Sequence, residues 1–158
     1  MSDKDSLDNM PVNEVASDSL VARFDGEVRS DTREGYEGYI VDANMLPEVA
    51  SVLRDDLGYD YLSSVTGVDY IDDNHIEVVY HADQTTGGKG INLKVQLDRE
   101  NPIVPTLVPI YPGADFQERE VFDMYGVKFD GHPNLRRILM WDGFHGYPLR
   151  KDWKEAYY

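Results

Sequence analysis

Residues 75–98 read His-Ile-Glu-Val-Val-Tyr-His-Ala-Asp-Gln-Thr-Thr-Gly-Gly-Lys-Gly-Ile-Asn-Leu-Lys-Val-Gln-Leu-Asp, and this stretch decides the fold class. Apolar and polar residues alternate strictly over residues 91–98 and less strictly over residues 76–81. A period of two places one set of side chains against a core and the other toward water, which predicts two β-strands. The glycine-rich residues 83–90 between them predict a hairpin loop.

Signals upstream extend this hairpin into a domain. Residues 46–57 carry apolar side chains at helical spacing, with Pro47 suited to the first turn and Gly58 to the C-terminal cap. Residues 59–68 are rich in β-branched and aromatic residues, which favours a further strand. We therefore predict an α+β domain over residues 36–112, with a small, largely antiparallel sheet and helices on one face.

The N-terminal residues carry weak structural signals. Residues 1–35 are polar and poor in aromatics, so we expect a flexible acidic lead, with a short helix around residues 14–24 at most. The lead resembles neither a secretion signal nor a transit peptide. The chain also lacks a run of about 18 apolar residues, which a membrane helix needs. We expect a cytoplasmic protein that reaches a membrane only through partners.

Residues 113–158 form a third region, which begins with a helix. Asp115 suits the N-cap and Glu118 the N3 position of a capping box, and the helix is predicted to cover residues 116–125. Beyond it, glycines and prolines interrupt a sequence that is too aromatic for a solvated loop. This combination predicts an extended, irregular segment that docks against another surface.

Composition separates the acidic front of the chain from its C-terminal region. Residues 1–112 hold 22 acidic and 8 basic side chains, whereas residues 113–158 hold 8 acidic and 7 basic ones together with 10 of the 18 aromatics. A near-neutral aromatic region is the composition expected of an interface. The net charge of −15 disfavours nucleic acid and anionic lipid as partners. The absence of cysteine excludes disulfides and cysteine-ligated iron–sulfur clusters in this chain.

The predicted C-terminal helix carries a cluster of charges around Arg119. Two of the carboxylates of Glu118, Glu120 and Asp123 could act as an acid/base pair if one of them had a raised pKa. In the alternative interpretation Arg119 neutralises its helix neighbours Asp115 and Asp123 and the cluster is structural. Several acids beside one arginine favour the structural interpretation, since ion pairs also perturb pKa values.

His132 lies between Gly131 and Pro133. A general base or a metal ligand is one interpretation, but the other histidines give no metal-binding spacing with it. A structural histidine that ties a turn through its ring nitrogens is the favoured interpretation.

The chain has only two basic doublets, Arg136-Arg137 and Arg150-Lys151. In so acidic a chain they favour pairing with carboxylates, either across a contact or with Asp142 and Asp152 of the same chain. The nearby aromatics suit a core, a ligand cage or interface anchors, and Trp, Tyr and Arg together are typical of interface hot spots. These aromatics are Trp141, Phe144, Tyr147, Trp153, Tyr157 and Tyr158.

Taken together, these residues form a longer signature. It reads Glu-Arg-Glu-Val-Phe-Asp-Met-Tyr-Gly-Val at 118–127, Gly-His-Pro-Asn-Leu-Arg-Arg-Ile-Leu-Met at 131–140 and Gly-Tyr-Pro-Leu-Arg-Lys-Asp at 146–152. The signature closely resembles that of the 30-kDa subunit of respiratory complex I, the proton-pumping NADH:quinone oxidoreductase, a family with a plastid and cyanobacterial form. The α+β layout of residues 36–112 is compatible with that family.

The resemblance implies a non-catalytic structural subunit of the hydrophilic arm of such a complex. It implies that FMN, iron–sulfur clusters and quinone are held by partner subunits, and that this chain has no catalytic, cofactor-binding or metal residues. The C-terminal segment would pack on the 49-kDa-like subunit near the quinone site, on the cytoplasmic side of an energy-coupling membrane. The expected structural and interface positions are Glu118, Arg119, Glu120, Asp123, His132, Arg136, Arg137, Trp141, Arg150, Lys151 and Asp152. Trp141 is included because tryptophan is typical of interface hot spots.

Three alternatives stay open at this point. The same subunit type occurs in related machines, such as a membrane-bound hydrogenase or a ferredoxin:quinone oxidoreductase. A more distant alternative is a free-standing hydrolase that uses Glu120 or Asp123 with His132. The third is a binding module without a link to respiration.

Overall fold

A computed structural model describes residues 19–155 of the chain. In this part of the protein, five strands form a mixed sheet in the order β1-β2-β5-β4-β3, and two further strands pair in parallel. The strands are β1 (Val28–Ser30), β2 (Tyr39–Val41), β3 (Tyr61–Tyr70), β4 (His75–Asp83), β5 (Ile91–Asp98), β6 (Ile103–Pro105) and β7 (Lys128–Asp130). The α-helices are α1, described over residues 19–23, α2 (Leu46–Asp55) and α3 (Ala114–Tyr125). Short 3₁₀ turns cover Ala43–Met45 and Ile71–Asp73.

The central hairpin confirms the predicted strands. Strands β4 and β5 pair antiparallel, with Val78 opposite Val95 and Tyr80 opposite Leu93. The apolar side chains of both strands lie in one core, which also contains the buried residues of α2 and α3. The fold is therefore α+β with a mostly antiparallel sheet and helices on one face. The β2–β5 pair is parallel, which the alternation pattern did not predict.

The second face of the sheet is only partly solvated: Gln96 and Asp98 are exposed as the alternation predicted, but its other end is covered. Glu77 and Lys94 lie on this face and are buried. The Lys94 ammonium donates to Asp31 at 2.6 Å, and the Arg33 guanidinium lies 3.1 Å from Glu77. Residues 31–36 therefore cover the part of the polar face around Glu77 and Lys94, and ion pairing makes burial of these charges tolerable. The same pairing holds the pKa of Asp31 far below its usual range: the hydrogen bonds from Arg33 outweigh the opposing effect of burial, and Lys94 adds to them.

The domain begins earlier than the expected boundary at residue 36. Leu20, Phe24 and Val28 are buried in the core, and Val28 starts β1. These three apolar residues lie four positions apart in a segment otherwise rich in charged residues, which is why the segment looked weakly patterned. The expectation of a flexible lead is thus wrong for residues 19–35, while residues 1–18 and the start of the expected helix at 14–24 lie outside the described residues.

Helices α2 and α3 are positioned by glycines and close packing. Gly58 follows α2 with a φ of +77°, the left-handed conformation that ends many helices. Helix α3 packs on β3, where the Tyr125 ring lies so close to Gly67 that a β-carbon there would be 2.6 Å from it. Glycine at position 67 therefore lets the helix approach the sheet. In the described part of the chain, no helix combines the length and apolar composition that crossing a bilayer requires.

Candidate docking surface

Helix α3 directs Glu118 into the protein rather than toward its own N-terminus. Gly113 occupies the N-cap position and Asp115 lies in the first turn, so the predicted capping box is wrong. Glu118 is fully buried and accepts hydrogen bonds from the Leu107 backbone N–H at 2.7 Å and from the Thr106 hydroxyl at 2.5 Å. Burial raises the pKa of Glu118, and these two hydrogen bonds offset only part of that rise.

His132 ties together the turn that follows β7. Its Nε2 donates to the carbonyl oxygen of Asp115 at 3.1 Å, and its Nδ1 accepts from the backbone N–H of Asn134 at 3.0 Å. The side chain is fully buried, with Nε2 3.9 Å from a carboxylate oxygen of Glu118. Both ring nitrogens are thus used inside the chain, which is the arrangement expected of a structural histidine.

Asp123 organises the first part of the segment after β7. Its Oδ2 accepts from three consecutive backbone N–H groups, those of residues 138, 139 and 140, at 2.7–3.1 Å. Its Oδ1 accepts from Arg137 at 2.9 Å. Burial raises the pKa of Asp123, but the hydrogen bonds from these four donors lower it by more than burial raises it. The pKa of Asp123 therefore lies below its ordinary value, and the carboxylate is ionised.

Arg119 does not have the role that its spacing predicted. Within residues 19–155 it forms no ion pair with Asp115 or Asp123. Instead its Nε donates to the carbonyl oxygen of Arg136 at 3.2 Å, and its guanidinium lies 5.4 Å from the Phe116 ring. The salt-bridge prediction rested on helix neighbours alone, whereas residues 137–140 fold back and supply Asp123 with other donors.

Arg99 anchors the far end of this segment and was missed by the sequence analysis. Its buried guanidinium binds the buried carboxylate of Asp69 at 2.7 Å and reaches Asp152 at 2.7 Å. The Lys151 backbone N–H donates to Asp69 at 2.8 Å. The Arg150 Nε donates to the carbonyl oxygen of Tyr125 at 2.7 Å. No local pattern links Arg99 to carboxylates this far away in sequence, so sequence spacing gave no signal.

The basic doublets do not pair with the carboxylates that were predicted within the chain. In the part of the chain that the structure describes, neither Asp142 nor Asp152 forms a salt bridge with either doublet. Arg137 binds Asp123 and also the carbonyl oxygen of Gly146 at 2.7 Å. These contacts explain how an irregular segment holds its shape: backbone and side-chain donors converge on buried acceptors of the domain.

The C-terminal aromatics fall into two groups. Phe144, Tyr147 and Trp153 are half-buried within the segment: the Phe144 and Trp153 rings stack at 5.8 Å, and Tyr147 packs closely on Gly126. Trp141 contacts Phe144 edge-on but remains 59% exposed. Tyr157 and Tyr158 lie outside the described residues. Of the aromatics that the structure describes here, Trp141 is the one suited to anchor a partner.

Four of the predicted positions remain available for a partner. The side chains of Glu120, Arg136 and Lys151 are exposed and form no hydrogen bond or ion pair within residues 19–155, and Trp141 joins them as an exposed aromatic. Seven other predicted positions serve the fold through the contacts described above. These are Glu118, Arg119, Asp123, His132, Arg137, Arg150 and Asp152.

An apolar groove lies beside these exposed residues, between β3 and α3. We call it the β3–α3 groove. Leu139 and Leu149 of the C-terminal segment line it and are 59% and 52% exposed. Its other lining residues are Val65, Thr66, Gly67, Glu120, Val121, Met124 and Tyr125. An exposed apolar concavity of this kind is typical of a protein–protein contact.

The residues named for a hydrolase are not brought together. Asp123 uses both oxygens on the C-terminal segment, and the His132 ring nitrogens bind Asp115 and Asn134. Neither Glu120 nor Asp123 forms a hydrogen bond with His132 among the described residues. A nucleophile–base pair within hydrogen-bond reach, which such chemistry needs, is not formed by these three residues.

Comparison with known proteins finds a matching family. The family model for the respiratory-chain NADH dehydrogenase 30 Kd subunit matches residues 39–158. The chain belongs to this family. A relative from Moorella thermoacetica, one of the subunits of NADH-quinone oxidoreductase, is 45% identical over 126 residues, which is 78% of this chain and 85% of that relative.

Other NADH-quinone oxidoreductase subunits are similar but longer. The relative from Caulobacter vibrioides is 42% identical over 88% of this chain and 72% of its own length. The relative from Phenylobacterium zucineum is 51% identical over 70% of this chain, and the match covers 53% of that protein. The chain thus corresponds to only about half the length of some relatives.

Two solved structures share the fold. A chain of an archaeal respiratory membrane complex, the membrane-bound sulfane sulfur reductase, aligns with a TM-score of 0.76 at 24% identity, covering 90% of this chain and 85% of that one. A trypsin-resistant fragment of Nqo5 aligns with a TM-score of 0.67 at 24% identity, covering 78% of this chain and 99% of the fragment. At this identity the likeness concerns the fold alone.

Proposed function

We propose that the chain is a non-catalytic structural subunit in the hydrophilic arm of a complex I-type, proton-pumping NADH:quinone oxidoreductase, where it packs on the 49-kDa-like subunit near the quinone site. Membership of the 30 Kd subunit family supports the type of complex. One structural observation carries the docking role: polar contacts fix the C-terminal segment, yet Leu139, Trp141 and Leu149 remain more than half exposed.

Burial of those three side chains would stabilise a complex. Burying a large apolar side chain contributes about 1.5–3 kcal/mol relative to leaving it exposed. Because Asp123 and Arg99 already hold the segment in place, less conformational entropy is lost when a partner binds it. The exposed charges of Glu120, Arg136 and Lys151 then select the orientation of the partner.

The redox cofactors belong, in this proposal, to other subunits. A chain without cysteine cannot supply thiolate ligands to iron–sulfur clusters, so these clusters lie in partner subunits, as do FMN and quinone. The chain contributes protein–protein contacts and no step of the electron transfer. Its attachment to the cytoplasmic side of the membrane is peripheral and depends on its neighbours.

A second candidate is the equivalent subunit of a related machine, a membrane-bound hydrogenase or a ferredoxin:quinone oxidoreductase. The fold is shared with a chain of another respiratory membrane complex, the sulfane sulfur reductase, so the fold is compatible with more than one type of complex. Purification of the native complex and identification of its subunits by mass spectrometry separates the two. NADH-binding and quinone-site subunits support the first proposal, and a hydrogenase or ferredoxin-binding subunit supports the second.

The docking role is tested by hydrogen exchange on the full chain, alone and coexpressed with the 49-kDa-like subunit. We expect amides of residues 135–152 to exchange more slowly in the complex, because the partner covers them. Amides in the interior of β4, which are bonded to β3 and β5 in either state, are the internal control. Equal exchange of residues 135–152 in both samples would rule out the docking role.

A further inference from the structure

Strand β3 has an unpaired outer edge. It is ten residues long and lies at the end of the sheet order, with β4 on one side and no strand on the other among the described residues. An edge strand of this length presents backbone donors and acceptors that can pair with another chain, so proteins usually cover or interrupt such edges. The other end strand of the sheet, β1, has only three residues.

The direction of the backbone groups follows from one side-chain contact. The Val65 N–H donates to the Gln117 side-chain oxygen at 2.6 Å, so it points away from β4. Residues two apart in an antiparallel pair point their backbone groups the same way, which directs the Gly67 N–H and C=O outward as well. Neither group of Gly67 has a partner on that side within residues 19–155.

The β3–α3 groove runs beside this open edge. Val65, Thr66 and Gly67 line it together with apolar residues of α3 and with the exposed Leu139 and Leu149. Farther along the strand, the Lys151 backbone N–H binds the Asp69 carboxylate, so the C-terminal segment reaches β3 beyond the groove. Backbone hydrogen-bonding groups and apolar walls therefore lie side by side.

We propose that the β3–α3 groove receives an extended, mostly apolar segment of the partner subunit, which adds to the sheet as a strand beside β3 and places a lysine or arginine opposite Glu120. Pairing with Gly67 supplies backbone hydrogen bonds, and alternate side chains of the segment enter the groove. Glu120 is the charged residue that lines the groove, and its carboxylate has no partner among the described residues. The complementary charge on the bound segment is therefore positive. This inference rests on the proposed function.

Charge disfavours two other occupants. A second copy of this chain also carries a net charge of −15, and like charges at such a contact repel. Residues 1–18 of the same chain contain five acidic side chains and one basic one, so they match Glu120 poorly. A basic, apolar segment of a different protein suits the groove better than either.

The backbone part of the inference is tested by residue-resolved amide exchange of the full chain, free and bound to the coexpressed 49-kDa-like subunit. We expect the Gly67 amide to exchange rapidly in the free chain and at least about 100-fold more slowly in the complex. Unchanged exchange of Gly67 in the complex overturns the inference. Slow exchange of Gly67 already in the free chain also overturns it, since residues 1–18 or a second copy would then occupy the edge.

The side-chain part is tested with Leu149→Asp and Glu120→Lys. Both side chains are exposed, so the free variants should unfold like the wild type. We expect each substitution to weaken the affinity of the chain for the 49-kDa-like subunit by about tenfold or more. Ile103→Asp and Glu100→Lys are matched controls, because Ile103 is an exposed apolar residue and Glu100 an exposed acid, and both lie outside the groove and outside residues 135–152. Their pairing should equal that of the wild type.

The outcomes separate this inference from the proposed function. If the wild-type chain does not pair with the 49-kDa-like subunit, the proposed function fails and the inference fails with it. If the wild type pairs and residues 135–152 become protected, but Leu149→Asp and Glu120→Lys pair as well as their controls, only the inference fails. Loss of pairing in the groove variants together with protection of Gly67 supports both.

Discussion

At the scale of single residues, buried carboxylates organise the C-terminal segment. Asp123 and Glu118 both lie in the signature region of α3 but sit in opposite environments. Asp123 accepts from four donors that favour its ionised form, whereas Glu118 accepts from two and its pKa is raised. Two carboxylates on the same helix therefore have pKa values shifted in opposite directions.

We expect Asp123→Ala to destabilise the chain by about 3–5 kcal/mol, because it leaves Arg137 and three backbone N–H groups without their acceptor. Urea unfolding followed by tryptophan fluorescence measures the change. The control is Asp142→Ala, which alters an exposed acid of the same segment and should shift the free energy of unfolding by less than about 0.5 kcal/mol. A similarly small effect of Asp123→Ala would contradict the anchoring role.

We expect Glu118→Gln to change how stability depends on pH. A carboxyl whose pKa is raised by folding binds its proton more tightly when folded, so wild-type stability falls relative to the variant as pH rises above the unfolded value of about 4.3. The difference grows by about 1.4 kcal/mol for each unit by which the folded pKa is raised. Glutamine keeps an acceptor for Leu107, so the hydrogen bond is conserved.

The measurement for this prediction is the free energy of unfolding of both proteins from pH 4 to pH 8. Glu120→Gln is the control, because it makes the same substitution at an exposed position of the same helix. A constant difference between Glu118→Gln and the wild type over this range would show that Glu118 does not titrate there.

At the scale of elements, helix α3 and strand β3 act as a frame to which the irregular segment is attached at two places. Asp123 and Arg137 hold its beginning, and Asp69 with Arg99 holds its end. Between these anchors the segment has few backbone–backbone hydrogen bonds of its own, so its shape depends on its contacts with α3 and β3. Loss of one anchor should therefore loosen one end and leave the other in place.

We expect Arg99→Ala to release the end of the segment, since Asp152 loses its partner and the buried Asp69 carboxylate loses its counter-charge. Hydrogen exchange should accelerate in residues 146–155 more than in residues 137–141, which Asp123 still holds. Arg23→Ala removes an arginine from an exposed pair with Asp56 and should change neither region. Equal acceleration in both regions would mean that the two anchors are not separable.

At the scale of the whole molecule, residues 1–112 carry nearly all of the net charge, while the C-terminal segment is near neutral and exposes three large apolar side chains. A chain with a net charge of −15 resists association with itself. Leu139, Trp141 and Leu149 nonetheless remain exposed, and this combination suits a protein that associates with a different one.

We expect Trp141→Ala to weaken pairing with the 49-kDa-like subunit by about tenfold or more, because an exposed tryptophan is a typical hot spot. The stability of the isolated chain should change by no more than about 1.5 kcal/mol, since the ring makes only an edge contact with Phe144. Titration by isothermal calorimetry and thermal unfolding give the two values. A variant that unfolds early but pairs normally would assign Trp141 to the fold instead.

Local sequence patterns were sufficient to predict the structure where a residue's environment is set by its neighbours in sequence. The alternation over residues 91–98 predicted β5, and the spacing after Pro47 predicted α2. The turn role of His132 also followed from its neighbours. The pairing of Arg119 with Asp123 was predicted by the same logic and is wrong, because a chain segment distant in sequence supplies the acceptor with other donors.

The sequence by itself determined the strand periods, the helix positions, the acidic net charge and the C-terminal signature, because each depends on residue identity over a few positions. Only the tertiary structure decided which carboxylate binds which donor, that Arg99 joins Asp69 to Asp152, and that residues 19–35 complete the core. Those contacts join residues up to 82 positions apart, as between Lys151 and Asp69. Their energies depend on burial and distance in space, which residue spacing does not encode.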